Sequence, residues 1–381
     1  MPSMELHSSS VTFASFSRSL LNFHCDPDDF QQEPAGGIQE QGIDAFQLHV
    51  ADLFAELSSA GGDNILSLLW IRKLLDAFLF CQEEFRFILL NNRHLLSRSP
   101  MDRLISDFYD RSVKALDLCN AIRDGIEQIR QWEKHMEIVL IALDPRQSFI
   151  TQGQIRRAEK ALIDLALFIH DEKESSSVLV QRNRSFCRQQ RAAAHCRSFS
   201  WSVSRSWSAT KQLQAIGNNI YVPRSHEVVA TSGLANSVFT MNSLLHFVMW
   251  VLVAAIPCQD RGLQAHFSIL KSFPWGSPVI SLHERIMEES KKRERKKSVG
   301  LLKEIHQLEK CTRRLLQLTE SVDQLTEGKE VEMIRQEVLG LGIIYNSMNE
   351  ELILLERQLR DVFHEIVRSR IEGLDCLHKP E

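Results

Sequence analysis

Cys187, His195 and Cys196 bring two thiols and an imidazole into one short stretch, the donor types of a zinc site. Tetrahedral zinc needs a fourth ligand, and none stands at usable spacing, so these are read as ordinary side chains. His170-Asp171-Glu172 sets an imidazole beside two carboxylates, the groups of general acid–base chemistry. It closes a helical pattern, however, and reads as a charged last turn. There is no GxxxxGKS/T phosphate loop, no GxGxxG after a strand, no GxSxG elbow and no HExxH. No catalytic, cofactor-binding or metal-ligating residue is therefore assigned, and the expected role is non-enzymatic.

What remains is the chemistry of modification and contact. Arginine stands three residues before Ser185, Ser200 and Ser208, the spacing basophilic kinases favour. These three serines are candidate phosphosites. They lie in residues 175–226, which carry eight Lys/Arg and no Asp or Glu, so phosphate there would turn a cationic connector towards neutral or negative. Inside it, SFSWSVSRSWS (198–208) alternates strictly. If extended, it puts Phe199, Trp201, Val203 and Trp207 on one side. Trp201 and Trp207 are the expected anchors of that tether.

Two further stretches bear on membranes. Lys291, Lys292, Arg293, Arg295, Lys296 and Lys297 form a basic run, read first as a solvated helix face and otherwise as a contact for anionic lipid headgroups or an import signal. Val238 to Ile256 is 19 uncharged residues, with Phe247 and Trp250 near its middle. A bilayer needs about 20. Thr240, Asn242, Ser243 and His246 interrupt its first half, and the clean run from Phe247 spans only about 15 Å of helix. A buried helix at the bundle centre is the preferred reading, and a single membrane span the alternative.

The elements that must position these residues are helices. Ile43, Phe46, Val50, Phe54 and Leu57 fall on one face before Gly61-Gly62. A second helix is expected from Asn64 to Leu96, and a third from a Ser99-Pro100 start to Leu143. A fourth runs from Gln154 to about His170. Towards the end, Val331, Ile334, Val338, Leu341, Tyr345, Met348, Leu352, Leu355, Leu359, Val362 and Ile366 alternate by three and four, a coiled-coil-like seam. Leu301, Leu308, Leu315 and Val322 recur every seven residues before it. The expected fold is all-α: a tail over 1–40, a bundle over 41–174, the connector 175–226, and a helical region 227–375 with a long antiparallel hairpin within 280–371.

The formal charge of -4 does not suggest a nucleic-acid partner. Eight scattered cysteines without CxxC fit reduced thiols in the cytosol or nucleus. Glu5 and the lack of an apolar run argue against a secretory signal at the N-terminus.

SFSWSVSRSWSATKQLQAIGNN, MWVLVAAIPCQDRGL, SLHERIMEESKKRERKKSVGLLKEI and RQLRDVFHEIVRSRIEGLD occur in that order. With these the chain resembles the plant BYPASS-related proteins, closest to their ROH subgroup, from about Ala45 onward and most densely over Arg197 to Asp375. The resemblance implies no enzymatic activity and no cofactor. It implies a role in plant development and polarised secretion, with cell-wall or mucilage deposition, through exocyst subunits of the Exo-seventy kind. A cytosolic or single-pass membrane location is implied with it. Asn349-Glu350-Glu351-Leu352-Ile353 stands where the family pattern has a Gly-Leu-Asp-Pro-like turn, so the last helix is expected to be more continuous here.

Overall fold

The computed structural model describes residues 35–60, 62, 64–147, 150–169, 208–258, 271–294, 300–321 and 329–378. Two units are distinguished, 1–39 and 40–381, and the helical bundle is the second of them. Among the described residues there are eleven helices and no strand. The all-α expectation holds.

The first helix, α1 (Ala35–Ala60), buries Ile43, Phe46, Val50, Phe54 and Leu57, the five residues its spacing singles out. In α2 (Leu68–Asn91), Ser67 caps the start by accepting the Trp70 amide at 3.2 Å. Asn92 then breaks the helix that the apolar pattern extends to Leu96. Its amide group turns back to the Ile88 carbonyl at 2.7 Å, and α3 (Arg93–Leu96) is a separate turn. Pro100, not Ser99, occupies the N-cap position of α4 (Met101–Ala142), and no side chain caps that end. Thr151 and Gln154 bond reciprocally at the start of α5 (Gln152–Ile169), a capping box that fixes its entry.

The end of the expected connector is folded. Ser208 caps α6 (Ala209–Gly217), whose Ala209, Leu213 and Ile216 are buried against α4. Arg111 of α4 donates to the carbonyls of Asn218 and Asn219 at 3.2 and 3.1 Å and so ties down the segment after α6. A short α7 (Ser225–Ala230) follows. Residues 208–226, assigned to the connector by composition, thus carry α6 and the start of α7. The three apolar positions of α6 make one amphipathic turn-pair, too short to outweigh the basic, serine-rich composition around it.

The 22-residue α8 (Leu234–Ala255) is the axis of the bundle. It packs on α2, α4, α6 and α7, and its Phe247 ring lies 6.1 Å from Phe54 of α1. On another side α9 (Gly276–Glu294) brings His283 to 4.8 Å from Trp250. Apart from Asn236, every residue of α8 is buried. Thr240, Asn242 and Ser243 have interior partners, whereas the buried Ser237 hydroxyl has none among the described residues. Thr240 donates to Gln47 Oε1 at 2.9 Å, where the Trp275 indole also donates at 2.8 Å. Asn242 accepts from Arg111 at 3.3 Å, and Ser243 donates to the Phe239 carbonyl at 2.9 Å. At the far end, the Leu301 and Leu302 amides meet the Ala254 and Ala255 carbonyls, satisfying the last turn in place of water.

Burial, with His283 nearby, pushes the His246 imidazole from 6.5 down to about 4. Between those values an unfolded chain takes up a proton that the folded protein does not, so stability falls as pH falls. The loss amounts to about 3 kcal/mol by pH 4. Urea midpoints measured at pH 7 and pH 4 check this: His246→Gln flattens the difference, and an equally steep acid limb in the variant would refute it.

The remaining helices are α10 (Lys303–Ser321) and α11 (Lys329–His378), the latter one uninterrupted rod of 50 residues. No break occurs at 349–353. Arg285 anchors α9 to the Ser58 carbonyl of α1 at 2.7 Å. α10 packs on α11, with Arg314 bridging to Glu337 at 3.1 Å, and also on α5.

Candidate interaction surface

The heptad seam of α11 is spent inside the molecule. Ile334, Val338, Leu341, Met348, Leu352, Leu355, Leu359, Val362 and Ile366 are buried, and the helix packs on α2 and α4 as well as α10. The seam thus packs on α2 and α4 in addition to α10, and Leu301, Leu308 and Leu315 are buried with it.

Polar clamps then fix how α11 is rotated. From α2, Arg72 reaches Glu351 at 2.7 Å and Gln358 at 3.1 Å, and Gln358 in turn donates to Asp76. Arg86 lies within 2.7 Å of Glu83, 3.0 Å of Glu372 and 3.6 Å of Glu365, and Arg368 completes the cluster. Burial raises Glu365, helped by the neighbouring Glu83. Burial also works to raise Glu372, but hydrogen bonds from Arg86 and Arg368 outweigh it and hold that carboxyl below its usual range. From α4, Arg130 meets Glu356 at 2.6 Å, and Arg370 of α11 donates to the Tyr109 carbonyl at 2.8 Å. These bonds run from Tyr109–Arg370 to Arg130–Glu356, so α4 and α11 are antiparallel.

With that rotation set, Leu339, Ile343 and Ile353 face outward at 56, 72 and 48% exposure. At 100° per residue the three lie within one 80° sector, an apolar row on a rigid rod. Beside it, where α4 runs along α11, Glu127, Arg130, Glu133, Lys134, Glu137 and Tyr345 line an open cleft. Burial raises the Glu133 carboxyl, and its Oε1 has no hydrogen-bond partner. The α4 side of this cleft escaped the sequence reading. Its signal was Glu127, Lys134 and Ile141 at intervals of seven on an outer helix edge.

Other sequence candidates fall elsewhere. Val238, Phe247, Trp250 and Ile256 are all core residues. Ser208 is buried, and its hydroxyl accepts the Lys211 amide at 3.3 Å. Lys291 and Lys292 are exposed on the last turns of α9, with Lys292 bonded to Glu289 at 2.8 Å. Ser185, Ser200, Trp201, Trp207, Arg295, Lys296 and Lys297 lie outside the described residues, as does the Arg293 side chain. Cys187, His195, Cys196 and the 170–172 run lie outside them too. Among the described residues no three His, Cys, Asp or Glu side chains are placed to hold a metal ion. Burial raises the Cys81 thiol and pushes Cys119 and Cys311 up to about 12, which removes their nucleophilicity at neutral pH.

The family model described as Protein ROH1-like matches residues 1–377. Protein ROH1D of Arabidopsis thaliana is 51% identical, the alignment covering 96% of this chain and 97% of that protein. Protein ROH1A of the same plant is 36% identical over 90% of this chain and 91% of its own length. UPF0496 protein 4 of Oryza sativa subsp. indica is 23% identical over 79% of this chain and 59% of its own. No solved structure matches.

Proposed function

The chain belongs to the ROH1-like family, and from that premise we propose that it is a non-enzymatic helical adaptor of plant secretion and development that binds exocyst subunits. The observation that carries the proposal is the outward row of Leu339, Ile343 and Ile353 on a helix whose opposite face is locked into the core. A solvent-facing apolar row on a rigid element is what a helix-binding partner needs, because little ordering entropy is lost on docking. The proposal puts the protein in the cytosol, with the exposed Lys291 and Lys292 side as its contact with anionic membrane surfaces.

Glutamate at Leu339 and Ile343 together tests this. Both side chains are exposed, so the thermal midpoint is expected to hold within a few degrees. Capture of exocyst subunits from a plant extract is expected to drop about tenfold or more. Undiminished capture by the variant, or none by the wild type, sinks the proposal.

A second reading, a membrane-anchored regulator of a small-molecule developmental signal, has one observation in its favour: Leu234–Ala255 is long and apolar enough to cross a bilayer. All of that segment except Asn236 is buried within the bundle, which supports the adaptor over the anchor. Carbonate extraction separates them, since release of the protein excludes an embedded helix.

A further inference from the structure

The groove between α4 and α11 has a chemistry of its own. The antiparallel register continues past Arg130–Glu356 to Leu140, which faces Gly342, and to the bond from Arg335 to the Gln147 carbonyl at 3.0 Å. Ile141, 58% exposed, follows Leu140 on α4 and so stands level with Gly342 at the solvent side of the groove. A Cβ on Gly342 would meet only Leu140 Cδ2, at 3.7 Å, so the missing side chain leaves the groove floor open at its apolar end. From Leu339 to Ile353 the groove is about 20 Å long, the length of a helix of about 14 residues.

Its α4 wall is acidic and unbalanced. Arg130 is engaged by Glu356, and Lys134 donates to Gln131. Neither Glu133 nor Glu137 has an ion-pair partner among the described residues, and they stand one helical turn apart along the groove. Such a wall repels an acidic segment and disfavours a purely apolar one, which would leave both carboxylates unpaired at a drying interface.

We infer that the α4–α11 groove is a docking site for a basic amphipathic helix of a partner protein, which seats apolar residues between Ile141 and Leu339/Ile353 and lays Lys or Arg against Glu133 and Glu137. This rests on the adaptor reading, shares Leu339 and Ile353 with it, and adds the α4 wall and the chemistry of the occupant.

The test uses the full chain and a fluorescein-labelled 18-residue helical peptide with leucines on one stripe and lysines flanking it. A scrambled peptide of the same composition, with no stripe, is the control. Fluorescence anisotropy is expected to show saturable binding of the striped peptide only. Glu133→Gln/Glu137→Gln is expected to weaken it about tenfold, with a shallower salt dependence. Gly342→Leu, which fills the floor, is expected to weaken it as much at any salt concentration. Circular dichroism of each variant checks that the bundle is intact. Equal binding of the scrambled peptide, or binding indifferent to both variants, overturns the inference. If the groove variants lose the peptide while Leu339→Glu/Ile343→Glu still captures exocyst subunits, the groove stands and the outer-row proposal fails. If the groove variants keep the peptide while the outer-row variant loses exocyst subunits, the reverse holds.

Discussion

Gly125→Ala is expected to destabilise the protein by about 1–3 kcal/mol, the usual cost of overpacking. On an open helix the same exchange stabilises by about 1 kcal/mol, because alanine loses less backbone freedom on folding. The sign reverses here because α4 crosses the chain just after α8 at van der Waals distance. A Cβ at position 125 would lie 2.2 Å from the Pro257 carbonyl oxygen and 2.7 Å from Ile256 Cγ2. The nearest atom is backbone, so no side-chain rotation relieves the clash. Gly340 on α11 is the internal control: nothing lies within 4 Å of a Cβ there, and Gly340→Ala is expected to stabilise by about 0.5–1 kcal/mol. Urea midpoints of the two variants should move in opposite directions. A shared direction would show that the crossing of α4 and α8 is not as described.

Trp250→Ala is expected to cost about 3–5 kcal/mol, the usual loss for a large aromatic truncated in a packed core. Trp250 is fully buried, with Phe247 at 6.1 Å and His283 at 4.8 Å between ring centres. The thermal midpoint in detergent-free buffer should fall by roughly 10 °C. The result bears directly on function. If α8 were embedded in lipid, its tryptophan would not be part of the soluble bundle's core, and the midpoint of that bundle would hardly move. An unchanged midpoint would therefore count against the adaptor as well as against the packing.

The position of α8 also explains why its sequence invited two interpretations. A core helix of a large bundle and a membrane helix both need apolar side chains on all sides, so composition alone separates them poorly. The interrupting residues carry the distinction, and only through partners far along the chain. Thr240 meets Gln47, and Asn242 meets Arg111. Polar groups without such partners would be costly in either environment. In the same way, the seam from Val331 to Ile366 announced a long helix with one apolar side but not what that side faces. Its burial on α2, α4 and α10 together makes it the closing helix of the bundle.

The folded stretch after residue 208 was hidden for a different reason. Its basic and serine-rich neighbourhood resembles a linker by composition, while its order comes from Arg111 donating to backbone carbonyls more than a hundred residues away. Glu304 likewise accepts the Leu68 amide at the start of α2 from 236 positions along the chain. Candidate phosphosites and tryptophan anchors at 185–207 lie outside the described residues, so they stay expectations from sequence.

By itself the sequence determined the all-α class, the extents of α4 and α5 within about two residues, and the apolar sides of α1 and α11. Those are local properties: a 3.6-residue repeat, a cap or a break is written within a dozen neighbouring residues. Only the tertiary structure decided that α8 is enclosed, that the α11 seam packs on α2 and α4 as well as on α10, and that Leu339, Ile343 and Ile353 are left outside beside an acidic groove. Each of these depends on how rods are rotated and crossed. That is set by contacts such as Arg86 with Glu372 and Gly125 with Pro257, whose partners share no local pattern in the chain.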